Sequence, residues 1–491
     1  MKNSLYITLF LVAISFSQHL FGQSPSDSID LFIKEKMTQL KIPGLQLAIV
    51  KNGKLEKLSY YGLANIEHNV RTTSESIFSI NSMTKAFVGV AIMQLQEQGK
   101  LKVDDQISQY IDDIPNEWRK ISLRQLLGNI SGLPNNINEK EQVIGDGTEE
   151  NNWEMVKKLP MEFKPGERFS YNQTGYYILG RIITKLSGQH FTKFIEDNQF
   201  KVADLGSTQF GDSNDIIPNN AGAYSTIVNV DGKWINDGKL HNAFATFPIF
   251  FRTATGIISN SDDLAKWLIA LQNGKLLRNK TSVSELFTSV KLNDSHIDGF
   301  NKLTNGYALG WPTVVRDEHP AAAPVGGMRS ALFVYPNDQL SIIVLTNLQG
   351  SNPEWFIDEI AGFYFPDMKL KNGFGLSKNL KQLRQELIHS KFKNSFKIYS
   401  DIKRSNKDYH LSEDEVNSWG YQLLEQNKKN EALEVFQFNT LLYPKSSNVY
   451  DSYAETLELT GNRKEAIINY RKSLELNPAN SNASQFLEDK K

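Results

Sequence analysis

Phe78-Ser79-Ile80-Asn81-Ser82-Met83-Thr84-Lys85-Ala86-Phe87 places a serine one helical turn ahead of a lysine, at the start of a long apolar run. Residues three apart share a helix face, so the Ser82 hydroxyl and the Lys85 amine can meet. A serine hydroxyl is a weak nucleophile until a base takes its proton. An ammonium at the ordinary pKa of about 10.4 cannot be that base. A lysine buried among apolar groups can, because desolvation lowers its pKa.

The spacing alone is not specific. Ser390/Lys393 and Ser400/Lys403 repeat it inside lysine-rich helical segments without other catalytic grammar. Two further stretches give it meaning. Lys164-Pro165-Gly166-Glu167-Arg168-Phe169-Ser170-Tyr171-Asn172-Gln173-Thr174 reads as a Pro-Gly turn, a short aromatic strand and a helix start, with Tyr171 projecting from a loop. Pro324-Val325-Gly326-Gly327-Met328-Arg329-Ser330 puts two glycines at the entry to a strand, where another backbone can approach closely. An N–H there can face a developing oxyanion.

Around these stretches the pattern alternates. Residues 26–40 read as an amphipathic helix after a polar cap. Residues 45–50 and 55–61 flank Asn52-Gly53 as a β-hairpin. Residues 82–99 form a helix closed by Gly99, and 105–300 alternate mainly helices and loops. A second hairpin joins 330–335 to 340–345 through Pro336-Asn337-Asp338, and a helix follows over 353–364. Hairpins at both ends with helices between them predict one antiparallel sheet built from the two ends, with a separate helical lobe and a cleft between.

The chain has 491 residues, 40% of them hydrophobic, enough for more than one domain. Its 54 basic and 55 acidic residues leave a net charge of −1, which provides no basic field for nucleic acid and no polybasic tract for membranes. There are no cysteines, so disulfides and thiol chemistry are excluded. The eight histidines are scattered without an HExxH arrangement, and no metal or other cofactor is expected. Residues 1–22 read as a secretory signal peptide cleaved after Gly22: a basic Lys2, an apolar run over 5–16, then a small residue. The expected location is secreted or periplasmic, with no stable membrane insertion after cleavage.

Beyond residue 365 the composition shifts. Residues 366–410 read as a lysine-rich helical linker. Over 411–491, Trp419, Glu431, Ala432, Phe436 and Pro444 recur as Tyr453, Glu465, Ala466, Tyr470 and Pro478, each pair 34 residues apart. That is the tetratricopeptide period of paired helices. The repeats read either as a groove for a protein partner or as a packing extension of the main domain.

The three stretches in this order resemble the serine β-lactamase and penicillin-binding protein superfamily, in the branch of class C β-lactamases, DD-peptidases, D-aminopeptidases and esterases. Ile121-Ser122-Leu123-Arg124-Gln125-Leu126-Leu127, Ser131-Gly132-Leu133-Pro134, Gly256-Ile257-Ile258-Ser259 and Tyr307-Ala308-Leu309-Gly310-Trp311 add to the likeness. The resemblance implies an α/β (α+β) domain over residues 23–365, ahead of an all-α tail. It implies that Ser82 is acylated, that Lys85 and Tyr171 move the proton, and that the Ser82 and Gly327 N–H groups form the oxyanion hole. Gln173, Gly326 and Arg329 would contact substrate. Gln173 replaces the asparagine of the family's Tyr-x-Asn motif, and Pro324 replaces the basic residue of its Lys-Thr-Gly or His-x-Gly motif. His319-Pro320-Ala321 is a second alignment for that motif.

The leading expectation is an exported serine hydrolase acting on a small acyl or peptide substrate: an ester, a D-amino-acid amide or peptide, or a β-lactam-like compound. The lost basic residue argues against carboxylate-bearing substrates. The competing expectation is a catalytically weak or inactive binding protein of the same fold that docks partners through its repeats.

Overall fold

The structure, a computed structural model, describes residues 25–138, 142–230 and 233–488. The expected leader at 1–22 lies outside the described residues. The main sheet runs in the order Val70–Arg71, Lys54–Asn65, Gly44–Lys51, Leu340–Thr346, Ser330–Tyr335, Ala321–Ala322, Pro312–Val314, Gly306–Tyr307. The two ends of the domain meet at its centre, where Gly44–Lys51 pairs antiparallel with Leu340–Thr346 from Leu45↔Thr346 to Lys51↔Leu340. Asn52 and Gly53 close the first hairpin at φ 52° and 68°, as a type I′ turn requires.

The central strands are buried on both faces, which explains their almost unbroken apolar runs. Successive side chains point to opposite faces. Leu45, Leu47, Ile49, Ala331, Phe333, Ile342 and Val344 enter one core, roofed by the Pro25–Leu40 helix and by Phe356, Ile357 and Ile360. Ala48, Val50, Leu332, Val334, Ile343 and Leu345 enter the other, shared with the helical lobe. The helix Thr84–Glu97 runs through that second core and is buried on every side from Thr84 to Leu95. Gly89 lets it touch the neighbouring chain, since a Cβ there would lie 2.1 Å from the Leu309 carbonyl oxygen.

Three expectations change. Residues 168–170 are loop and not a strand. The helix expected over 353–364 is a 3-10 turn, Pro353–Trp355, followed by the short α-helix Ile357–Ala361. Tyr224–Val230 and Lys233–Asn242 form an antiparallel hairpin inside the region read as helices and loops. Asp231-Gly232, a strong hairpin signal in sequence, could have located it.

The tail is all-helical, as paired repeats require. Lys378–His389 and Ser395–Ser405 precede Glu413–Glu425, Lys429–Leu442, Ser447–Leu459, Arg463–Leu476 and Ser481–Glu488. Leu380, Leu383, Leu387 and Tyr399 of the first two helices share one core with Trp419, Ala432 and Phe436. Ala454, Ala466 and Tyr470 form a smaller one. Among the described residues no helix is long and apolar enough to cross a membrane.

Candidate active site

Ser82 sits in a 3-10 turn, Asn81–Met83, that leads into the Thr84–Glu97 helix. The turn is pinned from several sides. Ile80 N–H donates to the Ile257 carbonyl at 3.1 Å. Thr84 Oγ1 donates to the Asn81 carbonyl at 2.6 Å and accepts from Ile257 N–H at 3.1 Å. Asn81 adopts φ +48° immediately before the serine. Asparagine is among the few residues that tolerate the left-handed region, and such strain concentrates at functional sites. The Ser82 side chain is half-buried.

Lys85 follows one turn later and is 1% exposed. Its Nζ donates to Gln173 Oε1 at 2.8 Å and to the Ala254 carbonyl at 2.7 Å. Among the described residues it makes no ion pair. Burial alone pushes its pKa well below the ordinary lysine value. Two neutral acceptors hold the amine without a countercharge to stabilise its ammonium form, so the neutral, basic form gains relative to that of a solvated lysine. Its Nζ lies 4.6 Å from the centre of the Tyr171 ring and 5.0 Å from that of Tyr176. Among the described residues no hydrogen bond joins Ser82 Oγ to Lys85 Nζ; such contacts often tighten only when substrate is bound.

Tyr171 and Gln173 come from the loop before the Thr174–Ser187 helix. Asn172 anchors that loop: its N–H donates to Asn129 Oδ1, its Nδ2 to the Leu133 carbonyl, and its Oδ1 accepts from Gly175 N–H. The Gln173 N–H donates to Asn135 Oδ1 at 3.1 Å. The longer glutamine side chain therefore still delivers its amide oxygen to Lys85. Tyr171 packs on Phe300 and Tyr307, with ring centroids 4.9 and 6.4 Å apart.

The third stretch closes the site. Val325–Gly326 pairs with Ser330–Tyr335 through Val325↔Ala331 and Gly326↔Ser330. A Cβ on Gly326 would fall 2.0 Å from the Ile80 carbonyl oxygen, so only glycine lets this strand come so near the Ser82 turn. Ser330 Oγ donates to the carbonyls of Gly326 at 2.9 Å and Ile80 at 3.1 Å, joining the two segments. Leu332 N–H donates to the Pro324 carbonyl. Antiparallel strands alternate bonded and non-bonded pairs, so the Val325 N–H turns away from the Ser330–Tyr335 strand.

Residues 29–363 match the Beta-lactamase family model. The chain belongs to the beta-lactamase family. Protein flp of Staphylococcus aureus (strain MRSA252) is 28% identical over 327 residues, covering 65% of this chain and 62% of that protein. The chain thus spans under two thirds of the length of that curated relative. A putative D-alanyl-D-alanine carboxypeptidase of Escherichia coli (strain K12) is 23% identical over 405 residues, covering 70% of this chain and 90% of that one. The D-amino acid amidase of Ochrobactrum anthropi SV3, solved with D-phenylalanine, shares the fold with a TM-score of 0.58 at 19% identity, covering 70% of this chain and 99% of that chain.

Within this beta-lactamase-family fold, Ser82, Lys85, Tyr171, Gln173 and Gly326 are brought together by the contacts above. Gly327 lies in the turn after the strand, at φ +56°, against the Asn81 amide. Its N–H therefore lies beyond the paired strand, and the Val325 N–H, turned away from the Ser330–Tyr335 strand, was missed by sequence reasoning. The Ala254 carbonyl and Asn135 were also missed, because a backbone oxygen and a supporting amide carry no motif. His319 does not join this site. Its Nδ1 and Nε2 each lie 2.9 Å from a carboxylate, of Asp338 and Asp367 respectively. The His319-Pro320-Ala321 alignment therefore supplies no cation to Ser82. Among the described residues no group of three or more metal-binding side chains is present.

Proposed function

We propose that this protein is an exported serine hydrolase that cleaves an ester or amide through an acyl-serine intermediate on Ser82. One observation carries the proposal: Lys85, buried and without a countercharge, is held by two neutral oxygens one turn after a serine at the start of a helix. Ser82 Oγ attacks the substrate carbonyl, and its proton passes to the Lys85 amine. Tyr171, packed against that amine, relays the proton to the leaving group. The Ser82 N–H, with a strand N–H of Val325 or the Gly327 turn, holds the oxyanion. Water then attacks the acyl carbon, and the same groups return the proton to Ser82. The likeness to a putative D-alanyl-D-alanine carboxypeptidase and the fold shared with a D-amino acid amidase support acyl transfer from small amides, peptides or esters. The apolar run over residues 5–16 supports export, and the helical tail supports docking of a protein partner.

The test is intact-mass analysis after exposure to a fluorophosphonate and, separately, to a penicillin. Ser82 is expected to be the sole serine labelled by the fluorophosphonate; label elsewhere, or none, overturns the proposal. Penicillin adduct formation adds β-lactam recognition to it. The loss of a basic residue at 324–326 favours the competing view of an inactive binding protein, and the same labelling distinguishes the two.

A further inference from the structure

Arg329 is 6% exposed and, among the described residues, forms no ion pair. Burial alone pushes its pKa down to about 10, which leaves the guanidinium charged at neutral pH. A buried charge without a countercharge is costly, and departures of this kind concentrate at functional sites.

The backbone of Arg329 belongs to the sheet. Its N–H donates to the Gly326 carbonyl at 3.1 Å, and its carbonyl accepts from Thr346 N–H at 2.9 Å and from Thr346 Oγ1 at 3.0 Å. Its side chain crosses to the turn of the nucleophile. One orientation of the Asn81 amide satisfies both neighbours: the oxygen accepts from Arg329 Nε at 2.8 Å and Nη2 at 3.2 Å, and the nitrogen donates to Ser79 Oγ at 3.2 Å. Two donors of a rigid fork thus converge on one oxygen, a geometry that a lysine ammonium does not reproduce. Gly327 closes another side of the amide, since a Cβ there would lie 2.5 Å from the nearest Asn81 side-chain atom.

Asn81 needs such a hold. It stands at φ +48°, a region that asparagine tolerates less freely than glycine. Its dihedral angles set the direction in which the chain presents Ser82. Relaxation to an ordinary negative φ would turn Ser82 out of its place between Lys85 and the Gly326 strand.

We propose that Arg329 is a positioning residue for the nucleophile: through the Asn81 side-chain amide it locks the left-handed conformation that aims Ser82 at the substrate carbonyl. The proposal rests on Ser82 being the nucleophile. In this role Arg329 need not touch substrate; it ties the nucleophile's turn to a sheet segment 248 residues further along the chain.

The test is the rate of Ser82 labelling by a fluorophosphonate over a series of concentrations. The full chain is compared with Arg329→Lys, Arg329→Met, Asn81→Gly and the Asn81→Gly/Arg329→Met double variant, with folding checked by circular dichroism. Arg329→Met should lower the maximal rate by about tenfold to a hundredfold, the size of a displaced reacting group, while the half-saturating concentration holds. Arg329→Lys should recover part of the loss. Asn81→Gly keeps the left-handed backbone accessible but removes the amide, so it should lose a comparable amount. Adding Arg329→Met to it should then change the rate by less than about twofold, because both act through one contact. An undiminished maximal rate in a folded Arg329→Met protein, losses that multiply in the double variant, or a loss confined to the half-saturating concentration overturns the proposal. If Arg329→Met does not fold, Arg329→Lys decides: a loss in the parent that vanishes on the Asn81→Gly background supports the proposal, and equal losses on both, or none, overturn it. Hydrogen exchange over residues 79–84 separates this proposal from the hydrolase reading. No label on the parent, with exchange there faster in Arg329→Lys than in the parent, removes the hydrolase and keeps the hold on Asn81; unchanged exchange removes both.

Discussion

At the scale of residues, the proposed reaction turns on the protonation of one buried amine. Lys85 has its pKa lowered by burial, so its neutral fraction grows as pH rises through that lowered value. Fluorophosphonate labelling of Ser82 should therefore rise with pH and level off below the ordinary lysine value of 10.5. Lys85→Met should remove this limb and lower the labelling rate by about a hundredfold to ten-thousandfold. An unchanged pH profile in that variant would remove Lys85 from the proton path. Linkage has the same sign. The unfolded chain binds the Lys85 proton more tightly than the native one, so this group's contribution to stability improves as pH rises between the two values. Gly326→Ala tests placement. Its Cβ would overlap the Ile80 carbonyl, so the strand must move away from Ser82, and a displacement of about 1 Å can cost on the order of a hundredfold. Labelling should fall by that order while the circular dichroism spectrum holds; full reactivity would show that the strand does not set the serine. The proximity of Ser82 and Lys85 was legible from their one-turn spacing, whereas Tyr171 joined them only through the family resemblance. The Ala254 carbonyl was not legible, since any residue supplies a backbone oxygen and only the fold decides which one faces the amine.

At the scale of elements, His319 links the end of the catalytic sheet to the segment that leaves it. Its ring contacts Asp338, in the turn of the second hairpin, and Asp367, just past the last helix of the domain. Burial lowers its pKa, but the hydrogen bonds to Asp367 and Asp338 outweigh that and raise it above 6.5. The stabilisation is complete below the unfolded value and fades as pH rises through the raised native one. Hydrogen exchange over residues 366–374 should therefore quicken on raising the pH through that value, beyond the intrinsic base catalysis of exchange. His319→Gln should abolish this added dependence; an identical profile would mean that the clamp holds nothing. The histidine was visible in sequence as an alternative third motif. Its two carboxylates are 19 and 48 residues away, and only the tertiary structure brings them to its ring.

At the scale of the whole molecule, the boundary between cores falls between Phe374 and Leu376. Phe374 packs in the core of the catalytic sheet, whereas Leu376 begins the core that runs on through Phe438. A chain ended at 410 would expose Leu380, Leu383, Leu387 and Tyr399. A chain ended at 375 would not. We expect the shorter chain to fold, take the fluorophosphonate label at Ser82 and bind less of a dye that reports exposed apolar surface. The longer truncation should bind more dye and melt at a lower temperature. Loss of labelling in a folded 375-residue chain would show that the tail shapes the active site.

The sequence by itself determined the end-to-end sheet, because short, almost unbroken apolar runs bounded by turns at both ends call for strands covered on both faces. It determined the central helix, because a run apolar on every side must lie inside a core. The tertiary structure alone decided which groups surround the reacting atoms. It took His319 away from Ser82, brought Gln173 and the Ala254 carbonyl to Lys85, and left Arg329 buried without a carboxylate against the Asn81 amide. The reason is one of range: local patterning fixes periodicity and turns within a few residues, whereas desolvation and charge pairing depend on neighbours that only folding brings together.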